Sequence, residues 1–300
     1  MNKQIQVLRG STLIFGLFLF FLAFASTFIQ GNFNVNSARN FLIAQYDPQI
    51  GLIYEAPSSP NTFWVYNDNY EAYLALKGYN DNLANSLYAQ IQQQPAARVI
   101  VLNGQTFDPI TAGVKVVVVQ IVSSKIIETE VPDPSTSPVI ISSYGDIAAY
   151  AALNAYNHGD IATAKQDFNI LELMWDGVGI HDATTGGGVY ATFKTSLYLI
   201  AAHKIGVTAK YETQAYQSLV AAQNSQGGCR TGITSTGVLN GANTETTALC
   251  ILAVQGSPTQ SSMPSIGAYT GINMFTVVFA ALGLVFISSS VFLSFRKIGF

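Results

Sequence analysis

Asp68, Asp176, Asp182 and Glu245 are the carboxylates of this chain best placed to act together. Asp68 and Glu245 each follow an Asn able to cap a helix, and Asp176 and Asp182 flank a glycine-containing turn. Two carboxylates at the correct separation are what glycoside hydrolysis needs, one as proton donor and one as base or nucleophile. Trp64, Tyr66, Trp175 and Tyr190 lie close to them in sequence and offer faces on which a sugar ring can stack. His181 and Lys194 add polar contacts, and Glu71 and Asp146 belong to the same group of helix starts. Each residue also has a purely structural reading. Acids just inside a helix are ordinary dipole partners and capping groups. Asp-Gly and His-Asp are plain turn residues. Aromatic residues at helical spacing usually pack in a core, and a lysine in an Ala/Leu helix can snorkel to solvent.

These residues need helices to position them, and the chain predicts helices in pairs. Residues 36–45 read as a short helix, followed by turn chemistry at Asp47, Pro48 and Gly51. Residues 67–77 and 80–94 form the first pair, separated by Gly78 and stopped by Pro95. Residues 144–156 pair with 160–174, and 189–202 pair with 211–223. A last capped helix begins at Asn243. The units recur roughly every 45 to 50 residues, apart from one longer interval. A two-helix unit at that period implies stacked hairpins, because a single unit cannot bury its own apolar face. The longer interval holds residues 98–131, where β-branched, partly alternating runs and Asn103-Gly104 predict a small antiparallel β insertion. The fold expected is therefore mainly α, an α/α-toroid-like array of helical hairpins with that insertion.

The two ends differ from the middle. Residues 11–30 and 267–295 carry no charge and are long enough to cross a bilayer, which takes about 20 helical residues. Lys3 and Arg9 precede the first run, and Arg296 and Lys297 follow the second. The positive-inside rule then places short tails, 1–10 and 296–300, in the cytoplasm and the domain 31–265 outside the cell. Ala23-Phe24-Ala25 leaves a cleaved signal peptide as the alternative to a retained anchor. The second run contains Gly267 and Gly271, a single helix-pairing motif.

Only 10% of the residues are charged, and the formal net charge is −3. No basic patch with interleaved aromatics exists, so nucleic acid is excluded as a partner. A surface made polar mainly by Tyr, Asn, Gln, Ser and Thr suits an acidic medium. The three histidines and two cysteines show no metal spacing, and no pattern calls for a cofactor. Cys229 and Cys250 are a disulfide candidate if the domain is extracellular. A buried thiol at Cys250 with an unrelated one at Cys229 is the alternative.

Paired helices joined by Gln/Gly loops resemble the α/α-toroid architecture of six-hairpin glycosidases, terpenoid cyclases and protein prenyltransferases. More closely, Trp64-Val-Tyr-Asn-Asp-Asn-Tyr, Asp176-Gly-Val-Gly-Ile-His-Asp, Tyr190-Ala-Thr-Phe-Lys and Asn243-Thr-Glu-Thr-Thr-Ala-Leu together resemble uncharacterised archaeal membrane-anchored surface proteins. The resemblance spans most of residues 36 to 255 and implies a fold and an address, with no established activity. The Asp-rich motif of the cyclases and the zinc ligands of the prenyltransferases are absent. The expected role is a surface binding or structural module that contacts the lipid bilayer and a glycan, a surface layer or a membrane protein. The alternative is a carbohydrate-active enzyme using the four carboxylates.

Overall fold

A computed structural model describes residues 32–256 apart from 67, 94–112, 134 and 138. Helix α1 (Val35–Ala44) starts at Asn34, whose side chain accepts from the Ser37 N–H at 2.9 Å. Gln223 clamps the same turn from far along the chain. It accepts from Asn34 N at 2.8 Å and donates to Asn34 O at 2.9 Å. Short strands β1 (Tyr46–Asp47) and β2 (Leu52–Ile53) pair antiparallel across the Asp47–Gly51 turn. Strand β3 (Thr62–Trp64) then leads into α2 (Asp68–Leu76), and Gly78 turns the chain into α3 (Asp81–Gln93).

The β insertion comes next, as β4 (Gly113–Val122) and β5 (Lys125–Asp133). Asn103-Gly104, the expected turn signal, lies outside the described residues. The turn between β4 and β5 is Ser123–Ser124, with both residues at positive φ, 48° and 69°. That geometry suits the right-handed twist of the flanking strands, even though serine pays more for it than Asn-Gly does. Strand β3 adds to β5 in parallel, pairing Trp64 with Glu128.

Helices α4 (Gly145–Asn157) and α5 (Ile161–Leu173) follow, the second capped by Asp160. After a loop come β6 (Tyr190–Ala191), α6 (Thr192–Ile205) and α7 (Glu212–Ala222). The chain then makes β7 (Arg230–Thr234), β8 (Gly237–Ala242) and α8 (Thr244–Gly256). Strands β6, β7 and β8 form one antiparallel sheet.

Helices α4, α6, α8 and α2 lie side by side in that order, and α5, α7 and α3 each pack behind a partner. The inner faces are rich in fully buried alanine, including Ala72, Ala75, Ala148, Ala152, Ala201, Ala202, Ala248 and Ala253. Small side chains let the helix axes approach. Larger groups such as Leu42, Leu76, Leu171 and Tyr198 fill the spaces between them. Each fully buried leucine stabilises the fold by about 1.5–3 kcal/mol relative to exposure. A second, smaller core of Ile50, Leu52, Phe63, Val65, Tyr66, Ile91 and Ile127 sits under the β3–β5–β4 sheet.

Two expectations are corrected. Eight α-helices and three small sheets among the described residues make the fold mixed α/β, where a mainly α toroid-like array was expected. The extra strands come from polar, Gly- and Thr-containing stretches, 190–191, 230–234 and 237–242. Their local preference is weak, and pairing across the chain supplies the order. Secondly, among the described residues no helix is long and apolar enough to cross a membrane. The structure therefore does not provide the two flanking spans or the outward-facing placement that rested on them. Residues 11–30 and 267–295 themselves lie outside the described residues.

Candidate functional site

The four side-by-side helices present their first turns at one end of the row. Helix α2 brings Asp68 and Glu71, α4 brings Asp146, α6 brings Lys194 and α8 brings Glu245. A helix N-terminus favours a carboxylate, because its unpaired N–H groups and dipole are positive. Asn243 begins α8 in this way, accepting from Thr246 N at 2.9 Å. Helix α4 has no side-chain cap of its own. Asp182 supplies one from the following loop, accepting from Gly145 N at 2.8 Å.

The carboxylates fall into two environments. Asp68 is 4% exposed and Glu71 2%. Among the described residues neither Asp68 Oδ2 nor either carboxylate oxygen of Glu71 has a hydrogen-bond partner. Burial pushes both well above the usual carboxylate range, and the charge of nearby Glu245 adds to it. Glu245 is pushed up to about 7, by burial first and then by Glu130, Asp146 and Glu55. The phenol of Tyr150, one turn beyond Asp146 on α4, is raised far above its ordinary value by burial. Glu71, Glu245, Asp146 and Glu130 repel its ionised form further. These groups therefore share one low-dielectric cluster in which like charges oppose one another.

Asp182 is the opposite case. Burial works against its charge, but the Gly145 N–H, the Lys194 ammonium and Thr184 overcome that and hold it down at about 2. Lys194 is itself 3% exposed. Its Nζ touches Asp182 Oδ2, donates to Thr184 Oγ1 at 2.9 Å and lies 3.3 Å from Asp146 Oδ1. It thus joins the capped loop to the acidic cluster.

The four carboxylates singled out from sequence are therefore only partly united. Asp68 and Glu245 share the buried cluster, and Asp182 reaches it through Lys194 and Asp146. Asp176 sits elsewhere, in an exposed turn. It accepts from Tyr190 Oη at 2.5 Å and lies 3.1 Å from His181 Nδ1. Burial pushes the Asp176 carboxyl up, but these contacts and two backbone N–H groups together bring it below its ordinary value.

The aromatic residues do not form an open sugar platform. Tyr66 belongs to the smaller core. Trp175 is 6% exposed and stacks on Tyr211, with ring centroids 5.6 Å apart. Tyr190 is 8% exposed and committed to Asp176, and Trp64 is half-buried in β3. Lys194 is an internal strut between two carboxylates. Cys229 and Cys250 are free thiols, both fully buried. Burial and the neighbouring Cys250 thiol push the Cys229 thiol far up.

Glu55, Glu130 and Tyr150 were not anticipated. Tyr150 had a signal in its one-turn spacing from Asp146. Glu55, which follows β2, and Glu130, in β5, had none, since nothing local says that these segments reach the helix starts. Among the described residues no group of three or more His, Cys, Asp and Glu is arranged to hold a metal ion.

No family model, no curated protein and no solved structure matches this chain. Its function has to be argued from the side chains themselves.

Proposed function

We propose that the helix-start cluster is an acid–base site that cleaves glycosidic bonds, with Glu245 as proton donor. The observation that carries this reading is the convergence of Asp68, Glu71, Asp146 and Glu245 from three separate helices, with Lys194 from a fourth. A proton donor works best when its pKa lies near the working pH. Glu245, pushed up to about 7, meets that condition. Asp146, 3.3 Å from the Lys194 ammonium, serves as the base or nucleophile on the other side of the bond. Burial, with the charges of Glu130, Asp146 and Glu55, keeps Glu245 protonated. Glu55, Glu130, Asp146 and Glu245 itself are only half-buried.

The test is cleavage of a panel of neutral, amino and uronic oligosaccharides, read by mass spectrometry. The expected result is hydrolysis of at least one class, with Glu245→Gln and Asp146→Asn each slowing it by a hundredfold or more, on the order expected for lost acid–base catalysis. No cleavage across the panel, or unimpaired cleavage by a folded Glu245→Gln protein, overturns the reading.

A non-catalytic binding or structural module is the second reading. It is favoured by the β4–β5 hairpin, where Val114, Val116, Val118 and Ile121 stand 41–66% exposed. An apolar row on an edge strand is a common feature of protein contacts.

A further inference from the structure

The buried cluster has two deficits of the same kind. It lacks hydrogen-bond partners: among the described residues Asp68 Oδ2, Glu71 Oε1 and Glu71 Oε2 are enclosed and unpaired. It also lacks positive charge. Among the described residues Asp68, Glu71 and Glu245 make no ion pair. Lys194, the cation that α6 brings to these helix starts, is already held by Asp182 and Asp146. Buried polar groups are normally hydrogen-bonded, and an orphaned one costs about 1–3 kcal/mol. Glu71 is a side chain more than nine-tenths buried with both oxygens unmet, facing Asp68 and Glu245.

Few ligand groups answer both deficits. A sugar hydroxyl donates one hydrogen bond but brings an acceptor with it. A carboxylate brings only acceptors and more negative charge. An ammonium group brings three donors, no acceptor and one positive charge. The half-buried carboxylates whose charges act on Glu245, those of Glu55, Glu130 and Asp146, repeat the preference.

We propose that the site takes a glycan bearing a free primary amine, with Asp68 and Glu71 holding the ammonium group beside Glu245. This rests on the reading of the cluster as a glycan-cleaving site and names its substrate class. Uronic-acid polymers are excluded by repulsion. N-acetylated sugars lose the positive charge and present an amide carbonyl to a ring of acceptors.

The test compares four tetrasaccharides with the whole protein by calorimetry and by product analysis: β-1,4-glucosamine, its N-acetylated form, a neutral β-1,4-glucan and a galacturonate. The glucosamine tetramer is expected to bind at least about tenfold more tightly than its N-acetylated form. Asp68→Asn and Glu71→Gln, tested singly, should each reduce that preference, so a folding failure in one leaves the other informative. A contrast that persists unchanged in both folded variants marks general attraction to an acidic protein and overturns the proposal. Equal binding and cleavage of the neutral or N-acetylated tetramer overturns the amine preference and leaves the glycosidase reading standing. Site-dependent amine binding without cleavage of any tetramer upholds the amine site and sinks hydrolysis. If no tetramer binds or is cleaved, both fall.

Discussion

The Lys194 ammonium and the Asp182 carboxylate are locked together out of solvent, with side-chain exposures of 4% and 0%. The pair does more than neutralise two charges. Asp182 also caps α4 through Gly145 and binds Thr184, so a single carboxylate ties the 176–189 loop to two helix starts. Removing one partner of a buried pair leaves an uncompensated charge, at a cost of about 3–5 kcal/mol. Lys194→Met is expected to lose that much stability in urea denaturation. A loss below about 1 kcal/mol would show that the pair is far less isolated from solvent than its burial indicates.

Stability should depend on pH with two opposite signs. Glu245 has its folded pKa raised, from 4.5 to about 7, so the folded state binds its proton more tightly than the unfolded state does. That favourable contribution is complete below about 4.5 and is lost as pH rises to about 7, a change on the order of 3 kcal/mol. Asp68 and Glu71 act in the same direction. Asp182, lowered from 3.8 to about 2, stabilises the fold above 3.8 and ceases to do so as pH falls through 2. Tm should therefore peak in mildly acidic buffer and fall towards neutrality. Glu245→Gln should flatten the neutral side of the curve. A wild-type Tm that rises steadily from pH 4.5 to 7 would contradict the buried cluster.

Gly227 couples two distant parts of the chain. Its φ is +96°, and a Cβ there would come within 2.2 Å of the Ser37 carbonyl oxygen on α1. Gly227→Ala thus meets both a strained backbone and a backbone clash that no rotamer relieves. The expected loss is about 2–4 kcal/mol, measured by denaturant titration. Gly78→Ala is the control. It shares a positive φ, but a Cβ there has nothing within 4 Å, so its cost should be closer to 1 kcal/mol. Similar losses for both would mean that the close approach to α1 is not a constraint.

How much could be read in advance depends on whether the signal was local. Asn243 capping α8, Asp160 capping α5 and Gly206 ending α6 in the left-handed region are local, and each is legible in the residues around it. The same holds for the helix starts that deliver Asp68, Asp146, Lys194 and Glu245. Partners brought from far away were not legible. Strand β3 pairs with β5 across an interval that includes two helices, and this sheet is what sets Glu130 near the cluster. Asp176 and Asp182 looked equivalent in one Gly-containing turn. Only the packing shows that Asp182 faces Gly145 and Lys194 while Asp176 faces Tyr190 and His181. Trp175 read as a ligand platform because nothing in its surroundings announces Tyr211 as its stacking partner.

The β4–β5 turn offers a gain in stability. Ser123 and Ser124 both sit at positive φ, which a non-glycine residue adopts at a cost. Asn-Gly is the pair best suited to a two-residue turn of this geometry. Ser123→Asn with Ser124→Gly is expected to add up to about 1 kcal/mol, read from the denaturation midpoint. A loss of stability would show that the serines make contacts worth more than the relieved strain.

The two thiols give the last test. The Cys229 backbone N–H donates to Thr247 Oγ1 at 2.9 Å, and Ser196 Oγ donates to Cys250 Sγ at 3.5 Å. Both sulfurs are enclosed, and the Cys229 thiol resists ionisation. The thiolate is the reactive form, so neither residue should react with an aromatic disulfide reagent while the protein is folded. Both should react at once in denaturant. Fast labelling of the native protein would show that this interface opens far more readily than its packing allows.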